Sequence, residues 1–429
     1  MIVFHHSHPA FAKYDPLIRL AEDQAVSFFF VLSGFILSYV YPTLDGFEAI
    51  RHFIVARFAR IWPAHIFAFI LVLLVVPHYA WLAIPGSTTH GIRKALANIC
   101  MVQAWIPKAG YYFSFNAPSW SISNEFFFYL CFPLLIHKWK YQWKIKLAGV
   151  FLVTFALIVF VQAMHFPFED GSFSRVTIES LAYINPLARI LEFTLGMTVY
   201  LAWEKLRGVG MNRVWGTVLE LLAIAIVAIV MVDSHGRPPY ADAILNIKWI
   251  GYAGLVWCEK SGSLIFFALL ILVMGLEKGF ISKVLSMPFA VTLGEISYSV
   301  YLLHTTLFWF YYLHIASFSM LPDGLVYGVY WLLLLVISHL VWQLVERPAR
   351  KRLVELFAKT STAGTDRNAA TPQEDSAGRP IRSSKIGFLF TRRWLVAELL
   401  LLSSLIMVIA VHIHNPHSFC SIGHFCNQF

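Results

Sequence analysis

Long apolar segments separated by short polar ones run along nearly the whole chain. They lie at 25–42, 61–77, 117–137, 146–164, 185–203, 214–232, 263–276, 289–312, 325–345 and 394–413. Each is close to the ~20 residues that a helix needs to cross a bilayer, and none shows the sustained alternation of a membrane β-strand. The pattern therefore predicts an all-α fold, a polytopic bundle of transmembrane helices.

Lysine and arginine residues are concentrated in alternate loops between these segments. Cytoplasmic loops of membrane proteins carry this excess, so the remaining loops, 78–116, 165–184, 233–262 and 313–324, are predicted to face outward. This alternation holds if the moderately apolar piece 95–106 does not cross, and we interpret that piece as an interfacial or re-entrant helix on the outer side. The basic loops contain Arg51, Arg57, Arg60, Lys138, Lys140, Lys144, Lys146, Lys205, Arg207, Arg213, Lys278, Lys283 and the stretch 347–393.

The composition excludes a soluble enzyme. Of the 429 residues, 58% are hydrophobic and only 13% are charged, whereas a soluble domain is about one quarter charged. The net charge of +9 follows from the basic cytoplasmic loops and does not call for nucleic acid as a partner. Five cysteines without CxxC spacing predict no metal site. Cys420 and Cys426 lie in a short polar tail. The sequence is compatible both with a disulfide between them and with two free thiols.

Composition also divides the chain into regions. Residues 1–352 are predicted to form the membrane domain, 353–393 a disordered cytoplasmic linker rich in small, polar and charged residues, 394–413 an additional transmembrane helix, and 414–429 a short extracytoplasmic tail. Met1 to His6 resemble the last turns of a span whose beginning is missing, which would make a ten-span core with a truncated first span. The alternative is a chain that starts outside the membrane without a span there.

Polar residues in apolar surroundings are costly in a bilayer, so each is a functional candidate. His5 and His6 follow directly on an apolar turn. A neutral imidazole can take a proton from a hydroxyl near neutral pH, which suits a general base or a nucleophile. The plainer interpretation is a pair of interfacial histidines that are hydrogen-bonded to water.

Arg57 and Arg60 lie one helical turn apart where a predicted span enters the membrane from the inside. Two guanidinium groups on one face suit phosphate groups, which accept paired hydrogen bonds from their fixed donors. The alternative is ordinary anchoring, with long side chains reaching to the membrane surface.

Three further positions combine polar groups with apolar helices. Glu125 lies one turn before Tyr129, and a carboxylate in this context must be paired or face a cavity. Ser297, Tyr301 and His304 are predicted to share one helix face, and Ser33 with Gly34 interrupts an aromatic run. All of these could instead serve hydrogen bonding or close packing between helices.

Taken in order, these motifs resemble the membrane-bound acyltransferase family 3, integral-membrane O-acyltransferases of sugars and surface polysaccharides. The similarity covers about residues 1–352. It rests on Val3-Phe4-His5, Phe29-Phe-Val-Leu-Ser-Gly-Phe35, Arg57-x-x-Arg60-Ile-x-Pro63, Trp120-Ser-Ile-Ser-x-Glu125-x-x-x-Tyr129, Ser297-Tyr-Ser-Val-Tyr-Leu-Leu-His304 and Glu346-Arg-Pro348.

The resemblance implies ten spans and transfer of an acyl group, usually acetyl, from cytoplasmic acyl-CoA to a hydroxyl of a sugar, an exopolysaccharide or a lipid-linked glycan. It also implies residence in the bacterial inner membrane and no tightly bound cofactor, with acyl-CoA as donor substrate. A histidine near the end of the first span is taken as catalytic in the family, which matches His5, or failing that His6. The family's basic residue before that histidine has no counterpart here, and some relatives use an extra span to attach a hydrolase-like domain.

The roles expected from this resemblance and from the polar motifs fall into three groups. Catalytic roles are expected for His5, His6, Glu125 and Tyr129, acyl-CoA binding for Arg57 and Arg60, and supporting roles for Ser33, Trp120, Ser297, Tyr301 and His304. One competing hypothesis is a flippase that moves a lipid-linked sugar, with the histidines as a proton relay, although no inverted repeat is visible. Another is a non-catalytic anchor or sensor whose linker binds a partner.

Overall fold

The structure, a computed structural model, describes residues 1–76, 88–168, 171, 173–234, 240–318 and 320–362. Within these ranges every regular element is a helix, which confirms the predicted all-α class. The longer helices are α1 Ile2–Phe11, α2 Ala25–Val40, α3 Gly46–Val75, α4 Thr88–Ile99, α5 Trp120–Ile136, α6 Trp139–Ala163, α7 Pro186–Leu206, α8 Arg213–Asp233, α9 Gly251–Ser261, α10 Leu264–Gly275, α11 Pro288–Leu313, α12 Asp323–Val341 and α13 Arg347–Thr362.

Six helical segments in the described part of the chain are long and apolar enough to cross a membrane, which supports a multi-pass membrane protein. They are Glu22–Val40, Gly46–Val75, Trp139–Ala163, Arg213–Asp233, Gly251–Gly275 and Asp323–Phe357. The predicted total of ten spans goes beyond these six and stays a prediction. By contacts, the chain forms two units, Met1–Arg347 and Pro348–Phe429, and the second is described only as far as Thr362.

Helix boundaries differ from the sequence prediction at two places in particular. The helix that contains Arg57 and Arg60 begins at Gly46, well before the apolar run at 61, so both arginines lie inside a continuous helix. The loop predicted at 233–262 was wrong in part, because α9 occupies Gly251–Ser261 and is continuous with α10 as one candidate span. The glycine, serine and charged residues of this segment favoured the prediction of a loop. In the structure, Ala253 and Val256 of this segment are buried.

Two other predicted segments overlap with helices. The interfacial piece 95–106 begins within α4 and continues through a 3₁₀ turn at Gln103–Trp105. Helix α13 extends to Thr362, into the predicted linker. The rest of that linker, the additional span 394–413, and Cys420 and Cys426 lie outside the described residues.

Helices α2 and α7 approach each other most closely through two glycines. A Cβ atom at Gly34 would lie 1.9 Å from the carbonyl oxygen of Phe193, and one at Gly196 would lie 1.9 Å from the carbonyl oxygen of Val31. Small residues at a helix contact allow such backbone proximity. The packing interpretation of the Ser33-Gly34 motif therefore holds for Gly34.

A buried ion pair fastens α7 to its neighbours. Arg189 Nε lies 3.1 Å from Glu192 Oε2, and both side chains are fully buried. Arg189 also donates to the hydroxyl groups of Ser27 on α2 and Ser261 on α9, at 2.9 and 2.7 Å. Because a buried charge must be paired and hydrogen-bonded, this network fixes α2, α7 and α9 together beside the candidate site.

Candidate functional site

Two histidines from distant parts of the chain meet in the bundle. Nδ1 of His6 on α1 lies 2.7 Å from Nε2 of His304 on α11, and the rings stack with centroids 5.0 Å apart. Nδ1 of His304 lies 2.6 Å from the carbonyl oxygen of Tyr301, so it must be the donor there. A neutral imidazole carries only one N–H, so Nε2 of His304 is an acceptor and Nδ1 of His6 is the donor to it. The lone pair on Nε2 of His6 is then left for a substrate proton.

Helix α11 is held against the start of α5 and the segment before it by hydrogen bonds around this pair. The hydroxyl groups of Tyr301 and Ser121 lie 2.7 Å apart, and Tyr301 also donates to the carbonyl of Pro118 at 2.9 Å. Asn116 donates to the carbonyl of Leu302 at 2.8 Å. Tyr301 and His304 therefore belong to one connected group, as predicted from their spacing.

Trp120 has a packing role. Its indole is 5% exposed and contacts the ring of Tyr183, with centroids 4.9 Å apart. It also contacts Phe30 on α2 at 6.4 Å. The side chain therefore fixes the start of α5 within the apolar core and makes no polar contact with His6.

His5 points to a different set of groups from His6. It lies one helical turn before His8, with ring centroids 5.7 Å apart. His8 in turn contacts the carboxylate of Asp15 and lies 3.1 Å from Oε2 of Glu22. Asp23 beside them pairs with Lys260. The two histidines that sequence similarity left as alternatives thus have different polar neighbours, although their rings also contact each other with centroids 5.3 Å apart.

Arg57 and Arg60, the predicted arginine pair, contact different partners. Arg60 Nη1 lies 2.9 Å from Oε1 of Glu346, whose side chain is 1% exposed. Arg57 Nη2 donates to the hydroxyl of Tyr41 at 3.2 Å, and its guanidinium lies over the same ring. Nε of Arg57 is buried and has no hydrogen-bond partner among the described residues. A buried donor without a partner is costly, so this atom is available to an incoming anion.

Glu125 connects the arginines with two further predicted residues. Its Oε1 accepts hydrogen bonds from the hydroxyl of Tyr129 and from Ser33 at 3.4 Å. Arg60 and Arg57 both act electrostatically on Glu125. The structure therefore brings Ser33, Glu125 and Tyr129 together with the arginine pair, although these residues come from three helices.

Ser297 does not lie with the other predicted residues. It is exposed, and its hydroxyl donates to the carbonyl of Gly294 in its own helix at 2.7 Å. Buried Ser299, two residues further on, donates to Glu346 at 3.3 Å. The hydroxyl of Tyr298 donates to the carbonyl of Ile61 at 2.8 Å. At 100° per residue Ser297 still shares a helix face with Tyr301 and His304, but it lies about two turns before His304, where α11 is exposed.

Several site residues were missed by sequence reasoning. Glu346 was recognised only as part of a motif, and Asp15, Glu22, Asp23 and Lys260 lie in short polar segments that were taken as loops. Their signal was weak, because charged residues between spans are expected at the membrane surface. Only the folded chain brings them beside the histidines.

Comparison with known proteins gives the family. A family model described as an acyltransferase domain matches residues 1–347. The chain belongs to this acyltransferase family. The resemblance drawn from the motifs is thereby confirmed, and no solved structure matches the chain.

Named relatives show the range of the family. The chain is 30% identical to acyltransferase MdmB of Streptomyces mycarofaciens over 286 residues, 65% of this chain and 66% of that protein. It is 27% identical to exopolysaccharide production protein ExoZ of Rhizobium meliloti (strain 1021) over 281 residues, 65% of this chain and 74% of ExoZ. A protein of Staphylococcus aureus (strain COL), named as a candidate O-acetyltransferase, is 26% identical over 350 residues, 76% of this chain and 52% of its own length. The alignments thus span less than two thirds of MdmB and about half of the staphylococcal protein.

Proposed function

We propose that this family member is a membrane O-acyltransferase that moves an acyl group, in the first instance acetyl, from acyl-CoA to a hydroxyl of a sugar. The observation that carries the proposal is the His6–His304 pair, which supplies an oriented base inside an acyltransferase domain. A flippase needs no such oriented base. The proposal keeps the predicted ten-span topology in the bacterial inner membrane, with the arginine pair on the cytoplasmic side.

His6 is the base in this mechanism, in preference to His5. Its Nε2 would accept the proton of the acceptor hydroxyl while the oxygen attacks the thioester carbonyl. The C–S bond then breaks, and the CoA thiolate takes the proton from the imidazolium. His304 acts as a positioning residue, because its hydrogen bond fixes the tautomer and the ring orientation of His6.

Arg57 and Arg60 are proposed to hold phosphate groups of the acyl-CoA. Their support is the buried, unpartnered Nε of Arg57 and the partial exposure of Arg60, which is 30%. Guanidinium groups bind phosphate through paired, charge-assisted hydrogen bonds. No bound cofactor is needed in this scheme, since the acyl-CoA is consumed as a substrate.

Glu125 and Tyr129 are proposed as a positioning unit. The hydroxyl hydrogen of Tyr129 is directed at Glu125, so it is not free to stabilise an oxyanion while that bond persists. The carboxylate balances the charge of the arginines and Ser33 adds a donor to it. We therefore move these residues from direct catalysis, as the sequence suggested, to orientation of the donor site.

The acceptor is proposed to be an exopolysaccharide, its lipid-linked precursor or a smaller glycoside. The name of ExoZ refers to exopolysaccharide production, and that of the staphylococcal relative to acetyl transfer. The first name supports a carbohydrate acceptor, and the second supports acetyl as the group transferred to an oxygen atom.

The test uses membrane vesicles from cells that express the chain, acetyl-CoA labelled in the acetyl group, and a glycan fraction of the host. We compare wild type with His5→Ala, His6→Ala and Arg57→Ala. His165→Asn is the matched control, because His165 is an exposed histidine outside the site with a positive φ of 50°, which asparagine tolerates.

We expect label in the glycan with wild type, the control and His5→Ala, and a loss of roughly 10²–10⁴-fold with His6→Ala, the range for removing a general base. Equal transfer by wild type and His6→Ala would reject the base assignment. Glycan movement across the vesicle without any labelled product, for every donor tried, would reject acyl transfer in favour of the flippase.

A further inference from the structure

A second group of side chains, distinct from the His6–His304 pair, converges at the end of α1. His5 and His8 lie one turn apart on one face of α1, and Glu22 approaches them from the 3₁₀ turn Glu22–Gln24 before α2. One ligand atom from each of these three residues lies within 4.8 Å of the others. The cluster therefore offers two imidazole nitrogens and one carboxylate oxygen to a common point.

Glu22 in this cluster has too few partners, whereas Asp15 also accepts a hydrogen bond from the backbone N–H of Leu17 at 2.7 Å. Glu22 is 2% exposed and Asp15 is 7% exposed. Neither oxygen of Glu22 has a hydrogen-bond partner among the described residues. Its ion-pair contact is with Nε2 of His8 at 3.1 Å, and the same nitrogen faces Asp15.

Simple charge counting shows the deficit. One imidazole nitrogen carries at most one hydrogen and the ring at most one positive charge, whereas Asp15 and Glu22 together carry two negative charges when both are ionised. The amino group of Met1 acts electrostatically on both carboxylates, and Lys260 is already paired with Asp23. Burying an unpaired carboxylate is strongly unfavourable, so a divalent cation would complete this group.

The geometry points to a transition-metal site formed by His5, His8 and Glu22, with Zn²⁺ as the fitting ion. Two imidazoles and one carboxylate are the ligand types of zinc sites that keep one open position. Zinc ligands at 2.0–2.1 Å lie roughly 3.4 Å from one another. The side chains would therefore have to move together by about 1 Å. Asp15, which contacts the same nitrogen of His8 as Glu22 does, could then supply the fourth ligand.

The site has a consequence for the two candidate histidines. Zn²⁺ on His5 uses the lone pair of that imidazole, which makes His5 unfit as a base and leaves the proton transfer to His6. This consequence rests on the proposed acyl transfer. Metal binding itself does not, because it is measured on the protein without any substrate.

The experiment uses the full chain, purified in detergent with a tag that contains no histidine and stripped with a chelator. Zn²⁺ is then added in competition with a fluorescent chelating dye, and Co²⁺ is added separately to read its visible absorption bands. We expect about one tight Zn²⁺ per chain, an increase in the unfolding temperature, and intense Co²⁺ bands typical of four-coordination. His8→Ala and Glu22→Gln should abolish all three signals.

Two further variants keep the test decisive. His8→Cys should retain binding, because a thiolate is a zinc ligand, so a loss in His8→Ala with retention in His8→Cys identifies coordination and not misfolding. His165→Asn should bind as wild type does. Absence of tight Zn²⁺ binding to the folded wild-type chain would overturn the inference and indicate that a proton shared by the carboxylates neutralises the cluster. Equal binding by wild type and both loss variants would overturn it as well.

Discussion

The guanidinium group of Arg60 forms an ion pair with Glu346, with 2.9 Å between Nη1 and Oε1. The pair joins α3 to the π-helical turn Trp342–Glu346 that follows α12. Glu346 is buried, whereas Arg60 is partly exposed to solvent. Loss of the ion pair is therefore more costly for the carboxylate than for the guanidinium group. The contribution of Arg60 to the stability of the fold can therefore be separated from its proposed role in binding the donor.

We predict that Arg60→Ala lowers the free energy of unfolding by about 1–3 kcal/mol, since it removes the cation that pairs with the buried carboxylate of Glu346, and also raises the KM for acyl-CoA. The double variant Arg60→Ala/Glu346→Gln should recover most of the stability without recovering the KM. Thermal unfolding in detergent and donor titration measure the two effects.

Arg51→Ala is the control for this prediction. Arg51 lies on the same helix and pairs at 3.7 Å with the exposed Glu48, so its removal should change stability by less than about 0.5 kcal/mol. Full donor affinity in Arg60→Ala would contradict the phosphate-binding role.

A second prediction concerns His304. His304→Ala should lower kcat by roughly 10–100-fold, less than the loss in His6→Ala, because it removes an orienting acceptor and not the base. The KM for acyl-CoA should stay unchanged. His304→Gln should recover part of the rate, since its amide oxygen can accept from His6. A wild-type kcat and pH profile in His304→Ala would exclude the positioning role.

A third prediction tests the close approach of α2 and α7. Gly34→Ala should lower the free energy of unfolding by about 1–3 kcal/mol, the usual cost of overpacking, because the new methyl group would meet the backbone at Phe193. Gly149→Ala, on a helix face with nothing within 4 Å of the added Cβ, should be neutral or stabilise by up to about 1 kcal/mol. Thermal unfolding of the two variants side by side is the measurement, and equal stability would show that the helices can separate without cost.

A fourth prediction distinguishes two serines of α11. Ser299→Ala removes the hydroxyl that donates to buried Glu346 and should cost about 1 kcal/mol of stability, with a moderate increase in the donor KM. Ser297→Ala should leave both quantities unchanged, because that hydroxyl is exposed and bonds within its own helix. The reverse order of effects would favour Ser297, the serine predicted from the sequence, as the supporting residue.

Local patterns predicted much of the fold and part of the site. The apolar segments gave the positions of most long helices, and spacings of three and four residues placed Arg57 beside Arg60 and Glu125 beside Tyr129. These relationships depend on helix geometry alone. Helix α9 escaped detection because its glycines, serine and charges resemble those of a loop, although its alanine and valine pack inside the bundle.

Pairings between distant residues could not be predicted. His6 meets His304, and Arg60 meets Glu346, only through the packing of separate helices. The burial of α11 along its length was also not predicted, since Ser297 is exposed whereas His304, seven residues later, is buried. Sequence similarity could not separate His5 from His6, whereas their different neighbours in the fold do.

Ser299 and His304 are five residues apart on the single helix α11. At 1.5 Å per residue, they are separated by about 7.5 Å along its axis. Ser299 contacts Glu346, the carboxylate that pairs with Arg60. His304 is hydrogen-bonded to His6. A thicker or thinner bilayer can tilt this helix, yet it cannot change that spacing, so acyl transfer should be insensitive to the chain length of the surrounding lipids.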